Sequence, residues 1–203
     1  MIRVWLLLGL ALAAPAEELR PVDESAKDAS FAAFRTQLLG ALERRDVKFV
    51  NGILAANIRN SFGGDGGVAE FRKVWKLDRP AESKLWRELG EILRLGGTWE
   101  NGEFVAPYVF SRFPHRRDAF TWVAVVKPGA LLRDKPGGVG KPMGFAVVET
   151  MPGEARPGWS RVRMEDGVTG WVRVDEVRSS IGWRAFFGKV DGRWRLMALL
   201  SGD

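Results

Sequence analysis

The sequence predicts an α+β protein in which N-terminal helices pack on a small antiparallel sheet and a small β-barrel accompanies them. Three observations carry this expectation. Apolar residues recur at helical spacing from Phe31 to Leu93. Asn101-Gly102 and Asp191-Gly192 each stand between β-prone runs, the composition of a tight two-residue hairpin. Residues 120–178 alternate short apolar runs with Gly and Pro turns, the pattern of a small barrel.

The first sixteen residues differ from the rest. Arg3 precedes the apolar run VWLLLGLALAA, which leads to Ala14-Pro15-Ala16 and then to Glu17-Glu18. A basic start, a short apolar stretch and a small-x-small end predict a signal peptide over residues 1–16, cleaved after Ala16. The run is shorter than the roughly 20 residues that span a bilayer, so no stable membrane span is expected after cleavage, and the protein is expected in the periplasm or secreted. Residues 17–27 are polar and of mixed charge, and read as a flexible lead-in.

From Ala29 onward, Phe31, Phe34, Leu38 and Leu42 mark one helix. Asp46 suits the cap of a second, with Phe49, Val50, Ile53, Leu54 and Ile58 on its stripe. FGGDGG breaks the pattern as a turn, because the strand before it and the Lys-Ser/Thr after it that a phosphate loop requires are both missing. Val68, Phe71 and Trp75 mark a third helix. Asp78 and Pro80 are expected to open a fourth, whose stripe runs through Leu85, Trp86, Leu89, Ile92 and Leu93 to stop at Gly96-Gly97. A hairpin is expected over residues 98–110, with Pro107 at an edge or bend, and another closes the chain. Residues 28–119 with 179–203 thus form a helical α+β domain, and 120–178 the barrel.

Composition excludes several classes of function. There is no cysteine, so lipid anchoring through that residue, disulfides and thiolate metal sites are all excluded. One histidine and scattered carboxylates give no metal set, and no cofactor is expected. The net charge of +6 is spread thinly: residues 17–119 carry 17 basic and 16 acidic groups. Nucleic acid is not an expected partner, since phosphate binding needs clustered Lys and Arg.

Within residues 120–178, Leu131-Leu132-Arg133-Asp134-Lys135-Pro136, Gly158-Trp159-Ser160-Arg161-Val162, Asp166-Gly167 and Gly170-Trp171-Val172 follow one another. In that order they resemble a bacterial SH3-type domain, over roughly a third of the chain. The resemblance implies an SH3-like β-barrel that recognises a cell-wall peptide or an envelope protein. The closing run Asp191-Gly192-Arg193-Trp194-Arg195-Leu196 is similar to the last strands of cone-shaped, nuclear-transport-factor-like α+β domains. That likeness implies a barrel inserted in, or appended to, such a domain.

Strand alternation nominates a site. With Val162, Met164, Val172 and Val174 inward, Trp159, Arg161, Arg163, Trp171 and Arg173 share the outer side, and Arg133 and Asp134 join them through the first motif. Indoles stack on sugars or peptides and guanidiniums pair with carboxylates. The same face is equally suited to docking against the helical domain, with arginine stems covering apolar surface. The likeness to the cone-shaped fold implies a second candidate, a pocket of the α+β domain lined by Tyr108 and Asp118, and His115 beside Asp118 offers a general base. Arg116 and Arg117 beside His115 disfavour its charged form, and no nucleophile motif accompanies it. The expected function is therefore that of an exported, non-enzymatic binding or scaffolding protein. The alternatives are a small-molecule binder or enzyme using the pocket, and a barrel with a purely structural role.

Overall fold

Helix formation begins at a side-chain cap. In this computed structural model, which describes residues 17–64, 66–153 and 156–202, α1 (Ala29–Glu43) starts after Asp28. The Asp28 carboxylate accepts from the backbone N–H groups of Ser30 (2.8 Å) and Phe31 (3.0 Å), which lack helical partners of their own. Phe31, Leu38 and Leu42 form the buried face that the spacing predicts. The expected signal peptide lies outside the described residues.

α2 (Val47–Ile53) is capped by Asp46, which accepts from the Phe49 N–H at 2.9 Å. It ends sooner than expected: Leu54 and Ile58 lie on a strand, β1 (Leu54–Arg59). A spacing of four residues fits one helix face and one strand face alike, and Gly52 weakens the helix just before the change. α3 (Val68–Val74) follows Gly67, whose φ of 88° closes the glycine turn. α4 (Leu85–Arg94) begins later than expected. Asp78 and Pro80 belong to the preceding turn instead, where the Pro80 carbonyl accepts from Trp86 Nε1 at 2.7 Å.

β2 (Thr98–Glu100) and β3 (Glu103–Ala106) form the predicted hairpin, with Asn101 and Gly102 at φ 50° and 84°. The strand expected to continue to Phe110 stops there, because Pro107 has no N–H to give the ladder, and Tyr108 opens a short helix, α5 (Tyr108–Arg112). Seven strands follow: β4 (Trp122–Val125), β5 (Leu131–Arg133), β6 (Gly140–Pro142), β7 (Val147–Thr150), β8 (Trp159–Arg163), β9 (Thr169–Arg173) and β10 (Val177–Arg178). The closing hairpin is β11 (Arg184–Val190) and β12 (Arg193–Leu200), turned by Asp191 and Gly192 at positive φ.

Two sheets result, so the protein is α+β. The first has the order β1-β12-β11-β3-β2 and is antiparallel except for the β1·β12 edge. Helices α1 to α4 cover it through one core, centred on Phe31, whose ring lies 4.3 Å from that of Phe104 and 5.0 Å from that of Trp194. The second sheet has the order β10-β4-β7-β8-β9-β5-β6, and all of it falls between β3 and β11 in the chain. Its own core joins Val125, Ala130, Met143, Val148, Val162 and Val172, so the sheet curves around them. Among the described residues no ladder connects β10 to β6. By hydrogen bonding the sheet is open, where a barrel was expected.

The segment expected to be a flexible lead-in is bonded to both sheets. Val147 N–H donates to the Glu17 carbonyl and Leu19 N–H to that of Phe145 (2.9 and 2.8 Å), while Glu24 N–H donates to the Gly97 carbonyl at 2.9 Å. Leu19 is buried between the sheets with Tyr108, Val109, Phe113, Ala124 and Val147. Its polar composition hides this because backbone pairing and one leucine do the anchoring.

Candidate functional site

The second sheet separates its side chains by parity. Along β8, Val162 points into the core while Trp159, Arg161 and Arg163 take the other side. In the ladder Trp159 faces Arg173 and Arg161 faces Trp171 on β9, and Trp171 in turn faces Arg133 on β5. Trp171 therefore has an arginine in register on each neighbouring strand. Directly opposed residues lie within about 5.5 Å at Cβ, so the predicted Trp159, Arg161, Trp171, Arg173 and Arg133 form one patch, with Arg163, opposite Thr169, on the same side at its margin.

Gly170 makes this register possible. A Cβ there would stand 2.7 Å from Leu132 Cγ and 2.8 Å from the Arg133 carbonyl oxygen, so the glycine lets β5 lie against β9.

Indole and guanidinium groups pair across the patch. The Arg133 and Arg173 guanidiniums lie 5.2 and 5.8 Å from the centre of the Trp159 ring, within cation-π range. Carboxylates hold most of the arginines. Arg163 donates to Glu149 Oε2 through Nε (2.9 Å) and a terminal nitrogen (2.6 Å). Glu176 accepts from the Arg173 N–H at 3.2 Å and lies 3.5 Å from Arg133. Asp175 accepts from Lys127 (2.7 Å) and Arg173 Nε (3.0 Å), which lowers its pKa to about 2. Arg161 is exposed and has no side-chain hydrogen bond or ion pair among the described residues. Asp134 is exposed beside the patch, accepts from the Lys135 N–H at 2.8 Å, and lines a groove of about 340 Å³ with Arg133, Val139, Lys141 and Thr169.

The patch is only part of a longer face. Trp122 on β4 faces Glu149 on β7, which faces Arg163 on β8, so Trp122 and its alternate neighbour Ala124 lie on the same side as the arginines. There Ala124 and Val147 are buried by Leu19, Tyr108, Val109 and Phe113. The Arg117 guanidinium covers the Trp122 ring at 4.1 Å. The two readings of the face thus hold for different strands: β4 and β7 dock, whereas on β8 and β9 Arg161, Arg163 and Arg173 remain exposed.

The second candidate does not assemble. Tyr108 is fully buried between the sheets, its hydroxyl 3.4 Å from the Leu19 carbonyl, and burial pushes its pKa up to about 12. His115 is exposed on the connector. Asp118 is spent on a turn, accepting from Phe120 N–H and the Thr121 hydroxyl at 3.0 Å each. The likeness to the cone-shaped fold groups Tyr108 with Asp118, but Pro107 starts a helix that turns Tyr108 away into the junction.

Sequence reasoning missed Trp122, Glu149 and Glu176. Each joins the face through its partner on another strand, and register between distant strands leaves no local signal. Among the described residues no group of three or more His, Cys, Asp or Glu side chains is arranged to hold a metal ion, and no helix is long and apolar enough to cross a membrane. No protein-family model, curated protein or solved structure matches the chain.

Proposed function

We propose that this chain is an exported, non-enzymatic binding or scaffolding protein. Residues 120–178 act as an SH3-type module, and the Trp159/Arg161/Trp171 face takes a cell-wall peptide or a peptide segment of an envelope protein. One observation carries the reading: Trp171 is flanked in register by Arg161 and Arg133, and Arg161 stands exposed with no carboxylate partner among the described residues. A carboxylate supplied by the partner completes that pair, and the half-buried Trp159 supplies an aromatic surface beside it. Wall peptides carry free carboxylates and amide planes, which match both features.

Binding of the purified protein to isolated cell wall tests this. Arg161→Glu reverses the unpaired charge on an exposed position and is expected to lower retention about tenfold or more. Trp159→Ala is expected to weaken it as well. Equal retention of the native protein and both variants would sink the proposal. Trp171 is a poorer probe, being only 9% exposed, because its truncation also disturbs packing.

A further inference from the structure

The turn between β8 and β9 holds a second cluster, away from the Trp/Arg patch. Glu165 in that turn accepts from the backbone nitrogen of Glu17 at 3.0 Å and from the Arg117 guanidinium. The Glu17 side chain bonds Arg116 Nε (3.0 Å) and Arg117 Nε (2.8 Å), and is itself only 17% exposed. The carbonyl of Glu17 accepts from Val147, and Glu18 bridges to Ala146. Five further contacts thus fix the position of one backbone nitrogen against one carboxylate.

That nitrogen belongs to the Ala16–Glu17 peptide bond, the bond at which the leader is expected to be cut. Before cleavage it is a neutral amide with a single proton to donate. Hydrolysis adds water's hydroxyl to the Ala16 carbonyl and a proton to the Glu17 nitrogen. Near neutral pH the freed amine takes up a further proton, since an α-amino group has a pKa of about 8. A group with one N–H then becomes a cation with three, already 3.0 Å from a carboxylate.

We infer that cleavage after Ala16 creates an ion pair between the new α-ammonium of Glu17 and Glu165, so that processing itself latches the N-terminal segment across the two sheets. Glu17 and Glu165 supply two negative charges and Arg116 and Arg117 two positive ones, so the cluster is balanced before cleavage and takes up the added cation at its carboxylate-facing side. The latch rests on the export reading but not on the Trp/Arg patch. Its effect is local: residues 17–19 pair with residues 145–147, and Leu19 seals the junction beside Tyr108.

The test uses the chain beginning at Glu17, which contains every residue of the three cores, released from a cleavable fusion with no residue left over. It is compared with the same chain acetylated on its α-amine. The free-amine form is expected to melt about 2 °C higher at low salt, with the difference fading in 1 M NaCl. In Glu165→Gln the two forms are expected to melt together. Equal melting of both forms in the native sequence, or a difference that survives in Glu165→Gln, overturns the latch. Sequencing the N-terminus of protein recovered from an exporting host separates the two readings. Glu17 as first residue supports both, another start or an intact leader on translocated protein overturns the latch alone, and protein left untranslocated removes export and latch together.

Discussion

Tryptophan meets different neighbours in the two sheets. In the first, the half-buried Trp99 and Trp194 lie edge-on against the buried Phe31 ring at 5.3 and 5.0 Å, in an aromatic core at whose margin Lys189 covers the Trp194 ring at 4.5 Å. In the second, Trp159 lies against Arg133 and Arg173, and Trp122 against Arg117. An indole against a phenyl ring excludes water and stabilises the fold. An indole against a guanidinium packs on a charged neighbour instead: Arg117 beside Trp122 is spent on Glu17 and Glu165 in the junction, whereas Arg173 beside Trp159 is exposed. Composition counts these tryptophans alike, and only their neighbours tell them apart.

The largest effect that sharpens this comparison is Phe31→Ala. It removes the ring that five others surround in the first core and is expected to cost about 3–5 kcal/mol, read by denaturant unfolding. Gly170→Ala comes next, at about 1–3 kcal/mol, since the added Cβ meets Leu132 and the Arg133 carbonyl. It should also weaken wall binding by pushing Arg133 from the flank of Trp171, and unchanged binding would break the link between the β5 register and the patch.

Acid provides a smaller and more selective probe. Asp28, which caps α1, and Asp175, which clamps Lys127 and Arg173, both have pKa values lowered to about 2: the first chiefly by the Ser30 hydroxyl, the second chiefly by Lys127. A carboxyl with a depressed folded pKa contributes stability that is complete above its unfolded pKa and lost as pH falls through the folded one. The melting temperature should therefore drop between about pH 4 and pH 2. Asp28→Asn and Asp175→Asn should each flatten that drop, and profiles parallel to the native one would show that neither group is responsible. The smallest effect on stability is expected from Arg161→Ala, within about 0.5 kcal/mol, because the exposed side chain has no hydrogen bond or ion pair among the described residues. Loss of binding without loss of stability at this position is the clearest separation of the two uses.

Much of this was legible in the sequence. Asp46, the α1 stripe and the two Gly-containing hairpins signal through neighbours within four residues, and each formed. The outward set Trp159, Arg161, Arg163, Trp171 and Arg173 followed from alternation alone. Leu54 and Ile58 misled because a four-residue spacing suits helix and strand equally, and Tyr108 because the likeness to a cone-shaped pocket took no account of the helix that opens after Pro107. Asp78 and Pro80 have the composition of a helix start, yet the Pro80 carbonyl is engaged by Trp86 in a turn instead.

By itself, then, the sequence determined the α+β composition, the caps and hairpins, and which side of β8 and β9 carries tryptophan and arginine, because these depend on contacts within one or two turns or one strand period. Tertiary structure alone decided that Trp122 and Glu149 join that side, that α5 and residues 17–22 cover Ala124 and Val147 but leave Arg161 open, and that Glu17 meets Glu165. Those outcomes depend on pairing between residues 14 to 148 positions apart, and no local period carries information over such separations.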